Sequence, residues 1–111
     1  MLIHPLFIDV DAPLITTPSG TQTVLSWKGN PTNLKCVAEG YPPAVYSWER
    51  GDSQLIGGEA GSVLTITPSA DSDFTNYTCI AKNKIGQDST TFILKPIRKY
   101  LRALQYISKV V

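Results

Sequence analysis

Cys36 and Cys79 are the side chains of this 111-residue sequence best suited to covalent chemistry. Three uses are open to them: a reactive thiolate, part of a metal site, or a buried disulfide. A reactive thiolate needs a base beside it, and the only histidine, His4, stands near the start of the chain. A metal site needs more ligands at short spacing, and neither CxxC nor HExxH is present. Asp52, Asp71, Asp73 and Asp88 fall in turn-like segments without the spacing of a calcium loop. GxSxG and phosphate-cradling glycine loops are also missing. The sequence argues against catalysis and gives no reason to expect a cofactor or a metal.

What the cysteines do depends on the elements that carry them, and the body of the chain alternates at a period of two rather than 3.6. Leu34, Cys36 and Ala38 share one face, as do Tyr46 and Trp48, Leu64 and Ile66, Tyr77, Cys79 and Ala81, and Phe92 and Leu94. Turn signals separate these runs at 19–20, 29–30, 41–43, 51–52, 57–58 and 83–86. Short strands at this spacing predict an all-β fold, two antiparallel sheets packed as a sandwich. Cys36 and Cys79 then point inward from strands far apart in sequence. Trp48 points inward from the strand after the first cysteine, and Tyr77 precedes Cys79 on the same face. These four residues make the Cys, Trp, Tyr-x-Cys frame of an immunoglobulin domain, and Leu64 is a further expected core position. A Cys36–Cys79 disulfide is therefore expected ahead of a free pair or a metal site. Closing so long a loop stabilises by up to about 4 kcal/mol on chain-entropy grounds, and a bridge of this kind implies an oxidising, extracellular compartment.

The length suits one domain. Residues 1–94 carry five Lys or Arg against nine Asp or Glu, whereas residues 95–111 carry Lys95, Arg98, Lys99, Arg102 and Lys109 with no acid. A mildly acidic body is thus joined to a basic tail, a balance that does not suggest a nucleic-acid partner. Ile97, Tyr100, Leu101, Leu104, Ile107 and Val111 recur at helical spacing, so residues 97–111 read as a short basic amphipathic helix. It is either a truncation or readthrough sequence that folds only in part, or a contact for a partner or an anionic membrane surface. No run approaches the roughly 18 apolar residues of a membrane span. MLIHPLFIDVDAP lacks the basic start and small-residue cleavage site of a secretory leader.

SWKGN at 26–30, NLKC at 33–36, YPPAVYSW at 41–48, LTITPSADSDF at 64–74 and NYTCIAKNKIGQDSTTFIL at 76–94 carry a more particular likeness. Through them the body resembles an I-type immunoglobulin domain of the neural cell adhesion molecule family, nearest to the last such domain before the fibronectin repeats. FIDVDAP at 7–13 resembles the closing strand of a preceding domain with its linker. The expected organisation is a domain end or linker at 1–11, an immunoglobulin-like domain at 12–96 and the tail at 97–111. The resemblance implies an extracellular or cell-surface module of a multi-domain adhesion protein, binding other proteins homophilically or heterophilically through sheet faces and loops. A secreted single-domain ligand or decoy, and a membrane-active fragment working through its tail, are the alternatives.

The chain departs from the family in places. The interval from Trp48 to Leu64 is short, so strand D and much of the C′ region are expected to be missing or vestigial. No Lys or Arg lies between Gly51 and Ala70, which removes the basic partner that an acid at Asp73 meets in such domains. Asp73 is expected instead to cap the turn before the Tyr77 strand. After Leu94 the sequence does not resemble a fibronectin repeat.

Two surface motifs complete the candidate sites. Asn76-Tyr77-Thr78 is an N-glycosylation sequon, whereas Asn30-Pro31-Thr32 is blocked by its proline and Lys35 spoils a sequon at Asn33. With Tyr77 and Cys79 inward, Asn76 and Thr78 are expected to face outward. Arg50-Gly51-Asp52-Ser53 is the integrin-recognition tetrapeptide, expected on an exposed, shortened loop. There Asp52 would meet a divalent ion held by the integrin, and Arg50 the acids of the neighbouring subunit. Ordinary turn chemistry accounts for the same residues without a receptor. Trp27 reads as packing on the sandwich edge ahead of an exposed recognition aromatic.

Overall fold

The computed structural model describes residues 9–55 and 62–97. Among them nine strands follow in chain order: β1 Asp11–Thr17, β2 Gln22–Ser26, β3 Thr32–Lys35, β4 Val37–Tyr41, β5 Val45–Arg50, β6 Ser53–Leu55, β7 Val63–Ile66, β8 Asn76–Lys82 and β9 Gln87–Pro96. The alternation that builds them is visible in β8, where Tyr77, Cys79 and Ala81 are buried and the residues between them are not. One layer is a five-stranded sheet in the order β2-β9-β8-β5-β6, and the other consists of the ladders β1-β4 and β3-β7. β3 and β4 are one run of chain interrupted at Cys36, whose N–H bonds the Ser62 carbonyl at 2.7 Å.

The sandwich is antiparallel as expected except for one edge pair, where β2 runs parallel to β9 with Gln22 to Ser26 opposite Phe92 to Pro96. β1 pairs with β4 in one layer, and the chain then crosses through residues 18–21 to enter the other layer as β2. Two side-chain bonds fasten that crossing. The Asp88 carboxylate on β9 accepts the Ile15 N–H at 2.8 Å, and the Thr90 hydroxyl donates to the Gly20 carbonyl at 3.0 Å.

The expectation for the C′ region also needs correction. β6 is a short strand, but it pairs fully with β5 through Arg50 with Ser53, Glu49 with Gln54 and Trp48 with Leu55. A two-residue turn at Gly51 and Asp52 suffices to reverse the chain, so the short interval still holds a strand. The place of strand D falls on residues 56–61, outside the described residues, as do residues 1–8 and 98–111 with the expected tail helix.

Between the layers lies one core of Ile15, Leu34, Cys36, Trp48, Tyr77, Cys79, Ala81, Phe92 and Leu94, with Leu64 half-buried against it. Burying a leucine or phenylalanine of this set stabilises by about 1.5–3 kcal/mol relative to leaving it in water. No helix among the described residues is long and apolar enough to cross a membrane.

Candidate functional site

Cys36 and Cys79 are bridged across 43 positions, joining the β3–β4 run to β8 and so one layer to the other. Trp48 stands opposite Cys79 in the β5–β8 register, and its ring centroid lies 5.7 Å from that of Phe92 at a tilt of 38°. Both sulfurs are fully buried, which removes them from exchange chemistry. Among the described residues no group of His, Cys, Asp or Glu could hold a metal.

The most densely bonded polar cluster lies where β8 begins. A 3-10 turn at Asp71–Asp73 leads into the strand, and the buried Tyr77 donates its hydroxyl to the Asp73 carbonyl at 2.7 Å. Asp73 Oδ2 accepts the backbone N–H groups of Ser69 at 2.7 Å and Ala70 at 3.0 Å, which is the expected turn cap. Its Oδ1 accepts from Arg50 Nη1 at 2.8 Å. The backbone donors of Ser69 and Ala70, and then the Arg50 guanidinium, hold the Asp73 carboxyl well below the usual carboxylate range. Burial pushes the Tyr77 phenol up, against the lowering charge of Arg50.

The expected lack of a basic partner for Asp73 is thus overturned. The partner is Arg50, one residue before the empty stretch and 23 positions from Asp73. Its Cα pairs with that of Tyr77 at the end of the β5–β8 ladder, which aims the guanidinium at the turn. Arg50 Nη2 also donates to the Ser72 carbonyl at 2.7 Å, and the guanidinium carbon lies 5.9 Å from the Tyr77 ring centroid.

The same contacts explain most of the Arg50–Ser53 tetrapeptide. Arg50 and Ser53 close the β5–β6 hairpin, and Gly51, at φ +55°, takes the first loop position, where a II′ turn calls for glycine. Asp52 and Ser53 are exposed. The Arg50 side chain is only 34% exposed and is turned to Asp73, so the two charges do not project together. The Gly51 N–H donates to the Asn76 carbonyl at 3.0 Å, bringing the sequon beside the hairpin turn. Asn76 is exposed at the start of β8. Thr78 Oγ1 lies 3.1 Å from Thr91 Oγ1 on the neighbouring strand.

Other features escaped the sequence reading. Asn83 donates to the carbonyls of Asp11 at 2.7 Å and Pro42 at 2.9 Å, while its Oδ1 accepts the N–H groups of Ile85 and Gly86. The signal available was an asparagine opening a turn three residues before a glycine, which locates the turn but not the distant carbonyls. Trp27 remains 51% exposed, contrary to a purely packing role. With Lys28, Phe74 and Pro96 it lines a cleft of about 140 Å³. Val45 is 71% exposed at the far end of β5.

Known proteins share this fold. Residues 12–83 match the family described as Immunoglobulin domain. Neural cell adhesion molecule 1 of Gallus gallus is 41% identical over 86 residues, covering 68% of this chain and 8% of that protein's length. Among solved structures, tandem immunoglobulin domains of titin are 27% identical with a TM-score of 0.69, covering 80% of this chain and 49% of that one. Dpr2 Ig1–Ig2, solved in complex with DIP-Theta Ig1–Ig3, is 27% identical with a TM-score of 0.67, covering 79% and 33%.

Proposed function

This chain belongs to the immunoglobulin-domain family, and from that premise we propose that it is a recognition module of a larger cell-adhesion protein, binding another protein outside the cell without catalysis. The observation that carries the reading is its 41% identity to neural cell adhesion molecule 1 over 86 residues. A sandwich by itself implies no function, so the reading is drawn from the likeness to an adhesion protein and not from the fold. The buried bridge adds the oxidising compartment in which such a protein works.

The surface best suited to a partner is the outward side of the five-stranded sheet at the Val45 end. Val45 stands opposite Lys82 in the β5–β8 register. With Ser47, Asn83 and Lys84 they surround an open depression of about 420 Å³. An exposed valine between lysines suits a partner that offers an apolar group ringed by carboxylates. The acidic body of a second copy and an unrelated acidic protein both meet that description. Cells should attach to the immobilised chain, and Val45→Asp combined with Lys82→Glu should abolish attachment while leaving the far-ultraviolet circular dichroism unchanged. Attachment that survives the double substitution would remove this face from the reading, and no attachment by either protein would remove adhesion itself. Integrin binding would require Arg50 to leave Asp73 and Ser72, so Asp52→Glu should leave attachment unaltered.

A further inference from the structure

Two asparagines in this chain stand two residues before a threonine, and the structure treats them in opposite ways. Asn30 is half-buried, and its Nδ2 donates to Ser26 Oγ at 3.0 Å and to Thr32 Oγ1 at 3.4 Å. Those two hydroxyls are themselves 2.6 Å apart in a buried cluster, so substituting Nδ2 would dismantle it. Proline at position 31 blocks that sequon in any case. Asn76 is exposed, its side chain makes no hydrogen bond to the described residues, and a substituent on its Nδ2 displaces nothing.

We infer that Asn76 carries an N-linked glycan rooted at the Arg50–Ser53 end of the five-stranded sheet, where it screens the hairpin turn and leaves the Val45 end open to a partner. The inference rests on the extracellular reading above, because the reaction needs a polyprenyl-diphosphate-linked oligosaccharide and the transferase of the secretory pathway. In that step Asn76 Nδ2 bonds to the anomeric carbon of the first sugar and loses one proton. The bond from that carbon to the diphosphate oxygen breaks, and polyprenyl diphosphate leaves.

The placement follows from the register. Asn76 pairs with Ile93 on β9, which in turn pairs with Thr23 on β2, so the glycan is rooted in the end row of the sheet. Gly51 is hydrogen-bonded to the Asn76 carbonyl, so the Gly51–Asp52 turn lies beside the glycan root. A receptor approaching Asp52 would meet sugar as well as an Arg50 already engaged by Asp73. Val45 and Lys82 lie at the opposite end of the same ladder, beyond the rows of Glu49 with Thr78 and Ser47 with Ile80.

The test is expression of the full chain behind a leader in a glycosylating secretory host, with Asn76→Gln and Lys35→Thr as companions. Lys35→Thr opens a control sequon at Asn33, which is exposed on β3. The parent chain should lose mass on peptide N-glycosidase treatment, with the Asn76 amide converted to the acid, and Asn76→Gln should show no such loss. An unmodified Asn76 in the secreted parent overturns the inference. If Asn33 is glycosylated in the Lys35→Thr chain while Asn76 is bare, the fault lies in the site alone. If both are bare and Cys36 and Cys79 are found as free thiols, the extracellular reading falls with it. The glycan should also slow cleavage at the Gly51–Asp52 bond by an aspartate-directed protease relative to Asn76→Gln. Equal rates would overturn the screening.

Discussion

At the Arg50 end of the β5–β8 ladder the chain is closed by charge, and at the Val45 end by a neutral amide. The first closure uses Arg50, Asp73 and Tyr77, with one carboxylate accepting from two backbone N–H groups and a guanidinium. The second uses Asn83 alone, whose two polar atoms make four bonds and tie the start of β1 to the turn after Tyr41 and to its own turn. Both satisfy backbone groups that strand pairing leaves over at a sandwich end. They differ in what can undo them: protons act on the carboxylate, and nothing in the ordinary pH range acts on the amide. By contrast the surface pair of Lys28 and Asp71, 3.1 Å apart with both side chains largely in water, adds little.

Removing the bridge sets the scale for this comparison, because it lies between the two ends. Cys36→Ala with Cys79→Ala should cost about 2–5 kcal/mol, and native-state hydrogen exchange should speed up at both ends alike. Acceleration confined to one end would show that the two closures unfold separately. Asn83→Ala should come next, at about 2 kcal/mol, since it leaves backbone groups of Asp11 and Pro42 without a partner. Its cost, read from urea unfolding, should be the same at pH 3 and pH 7. Tyr77→Phe should cost about 1 kcal/mol for the lost bond to the Asp73 carbonyl, with the ring still packed.

The charged end should then show itself through acid. Its carboxyl titrates lower in the folded chain than the ordinary 3.8, so the unfolded chain binds the proton first as pH falls. The stability it contributes is complete above that ordinary value and is lost as pH drops through the folded value. Asp73→Asn should be less stable at neutral pH and lose less on acidification than the parent; parallel curves for the two proteins would break the distinction between the ends. Smallest of all, Asp52→Asn at the exposed turn should change stability by less than about 0.5 kcal/mol.

Much of the charged end was legible beforehand, and almost none of the amide end. Tyr77 two residues before Cys79 marks a hydroxyl placed to bond back across the turn, and a serine, alanine and aspartate run announces a capped turn. Arg50 lies one residue outside the stretch from Gly51 to Ala70 that carries no Lys or Arg, and sequence interval alone does not assign it to Asp73. The strand register, which brings Arg50 opposite Tyr77, is what decides it. For Asn83 a turn was foreseeable. The carbonyls it binds lie 72 and 41 positions away, and no local pattern points to them.

The sequence by itself determined what alternation and spacing can carry: the two-layer sandwich, the inward Cys36, Trp48, Tyr77 and Cys79, the bridge, and the outward position of Asn76. Those follow from a period of two and from the burial of apolar side chains, which are local properties of each strand. Only the tertiary structure decided that β2 joins β9 in parallel, that β6 survives as a strand, and that Arg50 turns to Asp73 and away from solvent. Each of these depends on which strand lies beside which. Backbone ladders and long-range side-chain bonds form between residues distant in sequence, so their partners become readable only once the chain has packed.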